Sequence, residues 1–287
     1  MIILDLEETN LAKHIATNLR CKYSKVKIDH FPDTEHKITI QTNVKNQSVI
    51  LVKSIFPAND SLIDLIFTAS YCKTLGAKRI IMVCPYLGYM RQDKQFHKYE
   101  VVSAPIMAKL ISTYADELIT IDPHLHRIPK LSKIFSIKTK TLTAVDLIAN
   151  HIKKNIKDGV IIGPDGESYQ WDIAVAKITH FPFTILKKVR KSSYNIKITF
   201  NDKIDVKGKN VIIIDDVIST GRTLLKTINH VKSFKPKGIY CFATHGVLAG
   251  DAASKIVKTG AKLICTNTIP NKYDKIDISK LISDSIK

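Results

Sequence analysis

Residues 211–223 read VIIIDDVISTGRT, and this stretch decides the fold. Its four leading residues are β-branched and apolar, the composition of a strand buried on both faces. Such strands belong to parallel sheets with helices on either side. Asp215 and Asp216 are then expected at the carboxyl end of the strand, where open α/β sheets bind ligands. Leu224, Leu225, Ile228 and Val231 follow at helical spacing. Residues 219–223 should therefore form a loop and the first turn of a helix, with backbone N–H groups left over at its positive end.

The rest of the chain repeats this alternation. VILVKSI (49–55), RIIMVCP (79–85) and ELITID (117–122) read as strands in the first half, separated by helical stretches near 60–75 and 103–114. In the second half GVIIGPD (159–165), FTILKK (183–188), NVIIIDD (210–216), GIYCFATHG (238–246) and AKLICTN (261–267) take the same part. An α/β architecture follows, with one mainly parallel sheet flanked by helices in each half. The expected domains are 1–142 and 143–287, joined by a helix over 143–155 that Thr143 caps.

Composition narrows the class. With 287 residues, 45% of them hydrophobic, the chain can bury a substantial core, and its length favours two domains. The start, MIILDLEETN, is acidic and lacks the order of a secretory signal. No apolar run approaches the roughly 20 residues of a membrane helix. The expectation is a cytoplasmic protein with no membrane partner. Five cysteines, at 21, 72, 84, 241 and 265, form no CxxC pair and read as reduced thiols. The formal charge of +18 comes from lysines spread singly and in pairs, without a cluster or an aromatic platform, which argues against nucleic acid as a partner. Arginine is scarce by contrast: Arg20, Arg79, Arg91, Arg127, Arg190 and Arg222. A retained arginine points to a need for its bidentate fork.

An anion belongs at the 219–223 turn. Gly221 lets the main chain approach a phosphate and tolerates positive φ, while Ser219, Thr220 and Thr223 offer hydroxyls and Arg222 a charge. The two carboxylates would repel that phosphate, so they are expected to accept hydrogen bonds from vicinal sugar hydroxyls or to hold a divalent metal. An ordinary helix cap would need only one such group.

DDVISTGRT resembles the 5-phosphoribosyl 1-diphosphate (PRPP) loop shared by type I phosphoribosyltransferases and ribose-phosphate pyrophosphokinases. FPDTE (31–35), YMRQD (89–93), DPH (122–124) and GPDG (163–166) resemble pyrophosphokinase segments in the right order. THGVLAG (244–250) and TNTIP (266–270) extend the resemblance nearly to the end. It implies two phosphoribosyltransferase-like domains with the active site between them. The implied reaction transfers a diphosphoryl group from ATP to ribose 5-phosphate, giving PRPP and AMP, in a homo-oligomer. A catalytically silent regulatory relative and a PRPP-consuming phosphoribosyltransferase are the alternatives.

The resemblance also implies roles. Phe31, Asp33 and Glu35 correspond to an adenine-binding loop in which Thr34 replaces the usual glycine. Arg91 and Gln92 fall at the ATP site. His124 and Asp165 fall at the positions of ligands for magnesium (Mg2+), with Glu167 where a small residue is usual. Lys188 and Arg190 resemble a mobile catalytic loop, and Lys187 stands beside them. Residues alone leave FPDTE as a plausible surface turn and 187–191 as a solvated loop.

Overall fold

The computed structural model describes residues 1–7, 9–125, 127–164, 168–190, 196–200 and 205–286, and for 187–190 and 196–200 the backbone only. The chain divides into two compact units, 1–143 with 277–287, and 144–276. The first boundary falls one residue after the expected 142. The tail differs from the expectation, because residues 277–287 belong to the first unit.

In the first unit the elements run β1 (Ile2–Asp5), α1 (Asn10–Leu19), β2 (Lys22–His30), β3 (His36–Ile40), β4 (Ser48–Val52), α2 (Ala58–Thr74), β5 (Arg79–Cys84), α3 (Ser103–Tyr114), β6 (Glu117–Ile121) and β7 (Lys138–Leu142). Its sheet has the order β3-β2-β1-β4-β5-β6-β7. Every pairing is parallel except the β2–β3 hairpin. β1, β5 and β6 are apolar and buried almost throughout, as strands covered on both faces must be. Glu117 is 2% exposed at the head of β6, and Arg79, Lys138 and Lys140 gather around its carboxylate. Arg79 therefore has a structural partner.

The second unit runs α4 (Val145–Asn155), β8 (Gly159–Gly163), α5 (Tyr169–Thr179), β9 (Phe183–Arg190), β10 (Ile196–Phe200), β11 (Asn210–Ile218), α6 (Arg222–Lys232), β12 (Gly238–Gly246), α7 (Ala252–Lys258), β13 (Lys262–Thr266) and β14 (Asp274–Ile276). Its sheet order, β10-β9-β8-β11-β12-β13-β14, repeats that of the first. Again one pairing, β9–β10, is antiparallel. In both sheets the chain winds outward first to one side and then to the other. The point of reversal lies between β1 and β4 in one unit and between β8 and β11 in the other.

Each unit has its own apolar cluster. Leu4, Leu51, Leu65, Met82 and Met107 lie in one, and Ile162, Ile213, Leu224, Ile228 and Ile256 in the other. Ala144 rather than Thr143 stands at the start of α4, without a side-chain cap. The final helix, α8 (Ser279–Ile286), packs on α1, and His14 Nδ1 lies 3.2 Å from Asp277 Oδ2 at its approach. All five cysteines are free. Burial pushes the thiols of Cys72 and Cys265 up to about 12, which makes them inert packing groups.

Candidate active site

In the second unit the 211–223 stretch forms a strand, a turn and a helix. The strand runs further than expected, to Ile218, because β12 pairs with β11 as far as Ile218↔Gly246. Asp215 and Asp216 thus lie within β11 and not at its end. The register with β8 stops at Ile213↔Ile162, however. Both carboxylates therefore stand beyond the end of β8, on the side where the sheet reverses direction, the place where such sheets form a ligand crevice. Asp215 is half-buried, and Asp216 is 5% exposed with Oδ1 accepting the Val217 N–H at 2.8 Å.

The turn that follows is held from below. The Leu248 N–H donates to the Ile218 carbonyl at 2.9 Å and the Ala249 N–H to the Ser219 carbonyl at 3.1 Å. Gly221 begins α6 in the left-handed region, at φ +68°. A Cβ there would lie 3.2 Å from Ile256 Cδ1 on α7, so both conformation and space favour glycine. Gly221 brings no side chain to cap α6, and the amide-rich start of a helix suits an anion. Thr220, Arg222 and Thr223 are exposed around that end and Ser219 is half-buried. All seven sequence-identified residues of this stretch therefore belong to one continuous strand–turn–helix segment.

The ends of β12 and β13 explain the THG and TNT motifs. His245 is 1% exposed with Nδ1 2.9 Å from Thr268 Oγ1, and the hydroxyls of Thr266 and Thr268 each donate to the Thr244 carbonyl at 2.7 Å. This is a buried knot beside the turn, and its members carry no local signal beyond the resemblance. Ser168 Oγ, just before α5, donates to the buried Asp172 at 2.7 Å. Sequence reasoning missed this pair. Asp165 and Glu167 lie outside the described residues. Lys187, Lys188 and Arg190 fall on β9, where Lys188 pairs with Ile198 and Arg190 with Ile196, and their side chains also lie outside the described residues.

In the first unit FPDTE is the tip of the β2–β3 hairpin. The Phe31 N–H donates to the Glu35 carbonyl at 2.8 Å and the Thr34 N–H to the Phe31 carbonyl at 2.9 Å. Thr34 adopts φ +75°, in the left-handed region that favours glycine. Phe31 is 48% exposed, and Asp33 and Glu35 are exposed beside it. An aromatic ring held in solvent next to two carboxylates can stack on a base and accept from its amino group.

Arg91 is exposed and Gln92 half-buried in the segment between β5 and α3. Its entry is tight, since a Cβ on Gly88 would lie 2.7 Å from the Ile55 carbonyl oxygen. His124 is half-buried in the segment after β6. The two segments are clipped together by Asp93, whose side chain is 2% exposed and accepts from Arg127 Nη1 at 2.9 Å and from the Arg127 N–H at 3.2 Å. Arg127, at 46% exposure, thereby links the RQD and DPH motifs.

Comparison with known proteins agrees with this layout. Residues 1–114 match the N-terminal domain of ribose phosphate pyrophosphokinase, and residues 133–274 a phosphoribosyl transferase domain. The ribose-phosphate pyrophosphokinase of Methanobrevibacter smithii is 32% identical over the whole of both chains, as is that of Methanothermobacter thermautotrophicus. The crystal structure of phosphoribosylpyrophosphate synthetase from Mycobacterium smegmatis superposes with a TM-score of 0.85 at 26% identity, covering 99% of this chain and 97% of the other. The chain belongs to the ribose-phosphate pyrophosphokinase family.

Proposed function

We propose that the chain performs the reaction its family is named for, using the residues described above. The anomeric hydroxyl oxygen of ribose 5-phosphate attacks the β-phosphorus of ATP, the bond from that phosphorus to the α,β-bridging oxygen breaks, and PRPP and AMP result with loss of the hydroxyl proton. The observation that carries this reading is the glycine-led start of α6 following two carboxylates that stand beyond the end of β8. The helix end and the 219–223 hydroxyls take the 5-phosphate, and Asp215 and Asp216 accept the ribose hydroxyls. Phe31, Asp33 and Glu35 receive the adenine, and Arg91 and Gln92 the triphosphate. Lys188 and Arg190 stabilise charge on the transferring group, where removal of one donor costs roughly 100-fold to 1000-fold.

His124 and Asp165 would hold Mg2+. No group of three or more His, Cys, Asp or Glu side chains able to hold a metal occurs among the described residues. Asp165 lies outside the described residues, and Mg2+ is commonly held by one or two protein ligands together with phosphate oxygens and water. When bound, the ion neutralises phosphate charge.

A homo-oligomer is supported by α2, where Ile63, Phe67 and Tyr71 follow at four-residue spacing with 41%, 52% and 53% exposure, an apolar stripe that a second copy would cover. Among the described residues no helix is long and apolar enough to cross a membrane. Free thiols in all five cysteine positions support a reducing, cytoplasmic setting.

The test is ³¹P NMR of the purified protein with ATP, ribose 5-phosphate and Mg2+. PRPP and AMP should appear together without ADP. An inert, folded sample would favour a regulatory relative, and PRPP consumption with a free base would favour a phosphoribosyltransferase.

A further inference from the structure

The hairpin that carries Phe31, Asp33 and Glu35 leaves the body of its sheet. β2 pairs with β1 only over Lys22–Lys25, whereas its pairing with β3 covers Val26↔Ile40 to His30↔His36. The outer part is thus a two-stranded ribbon, a structure of marginal stability by itself. Its last rung before the 31–35 tip is His30↔His36, the two rings meeting edge to face with centroids 4.4 Å apart.

That rung is tied down. His36 Nδ1 lies 2.6 Å from Asp64 Oδ1 on α2, and Asp64 Oδ2 lies 3.3 Å from Lys53 Nζ. Lys53 Nζ in turn donates to the Leu6 carbonyl at 3.0 Å, just past β1. The three side chains are 11%, 4% and 12% exposed, so the bonds are shielded from water. The chain of contacts runs from the root of the tip, through α2, to the reversal point of the sheet between β1 and β4. Burial of a carboxylate, an ammonium and an imidazole together is costly unless the geometry is kept. Nothing in the proposed chemistry uses these groups.

We propose that Asp64, acting through His36 with Lys53 behind it, is a positioning residue that fixes the 31–35 tip for the nucleotide base. This rests on reading the tip as the adenine loop. Asp64 touches no substrate. It sets where the Phe31 ring and the two carboxylates stand, and a displacement on the order of 1 Å at such a contact is enough for a large loss of productive binding.

The experiment is steady-state kinetics of the full chain with ATP, ribose 5-phosphate and Mg2+, for His36→Ala, His36→Asn and Phe31→Ala, with amide hydrogen exchange on the same proteins. His36→Ala should raise KM for ATP about tenfold, leave KM for ribose 5-phosphate and kcat within about twofold, and speed exchange at the Phe31 and Thr34 amides but not in β4 or β5. His36→Asn, which keeps a hydrogen-bonding nitrogen near Asp64, should recover most of the ATP KM. If Phe31→Ala raises the ATP KM while His36→Ala does not, the adenine loop stands and the tether is overturned. A His36→Ala protein in which both KM values and kcat deteriorate together, with faster exchange in β4, marks a general structural role and also overturns it. An unchanged ATP KM in Phe31→Ala removes the adenine-loop reading and the proposal with it.

Discussion

Glu7→Gln tests a buried carboxylate whose ionisation opposes folding. Glu7 follows β1, and its Oε1 accepts the Ser54 N–H at 2.5 Å while Oε2 is buried with no hydrogen-bond partner among the described residues. Burial pushes its carboxyl from the ordinary 4.5 up to about 7. The Ser54 amide and Lys53 pull it back, and Asp5 adds to the rise. The folded state thus holds the proton more tightly than the unfolded chain does. Its contribution to stability is intact below about pH 4.5 and is lost as pH rises to about 7, beyond which it is flat. A carboxyl held at about 7 rather than 4.5 corresponds to about 3 kcal/mol. Glutamine keeps the acceptor for Ser54 and never ionises. The variant should match the parent near pH 4.5 and exceed its stability by about 3 kcal/mol near pH 8. Urea unfolding followed by far-UV circular dichroism measures the difference, and the fluorescence of Trp171, in the second unit, gives a control that should not move. A difference that is constant across pH, or a less stable variant at pH 8, would refute the reasoning and mean that Glu7 is folded as a paired anion.

Thr34 has a Cβ in the left-handed region, a cost of about 1–2 kcal/mol, partly offset by the chain entropy that glycine loses; Thr34→Gly should raise thermal stability by up to about 1 kcal/mol without lowering ATP affinity. Arg127→Ala removes the guanidinium and leaves the buried Asp93 carboxylate with the backbone N–H of residue 127, so it should cost about 2 kcal/mol and raise the ATP KM, measured by thermal melting and kinetics. A methyl group on Gly163 would run into Asp172 Oδ2 and Ser168 Oγ, and Gly163→Ala should lower stability by about 1–3 kcal/mol in the same melting assay. Lys188→Ala should lower kcat about 100-fold with little change in either KM, while Lys187→Ala should not.

The strands that the sequence makes plain are those buried on both faces. The stretch expected at 238–246 is β12 residue for residue, and 103–114 is α3. These segments are apolar enough for composition to decide. β2, KYSKVKIDH, and β7, KTKTL, escape because they are edge-side strands with exposed lysines, and their pairing is set by neighbours far away in sequence. Within the site, residues 215–223 were legible because one contiguous segment supplies them all. The Asp93–Arg127 clip and the Glu7, Lys53, Asp64 and His36 group were not, since each unites residues that only the strand order brings together. A lone Asp on a helix such as α2 carries no mark of the lysine and histidine it will meet. The length of β11 was misjudged for a similar reason: the partner strand β12, not the aspartates, decides where the ladder stops.

The return of α8 to α1 has a consequence for biogenesis. All of the second unit, 144–276, is synthesised between the two parts of the first. Its elements can close their ladders as soon as β14 leaves the ribosome. The first unit by then has its whole sheet but lacks the helix that packs on α1. It must wait with that face open until α8 emerges, because its finishing contact joins segments on either side of the whole second unit. Nascent chains stalled late in translation should therefore present an ordered second unit and a first unit that still binds chaperones.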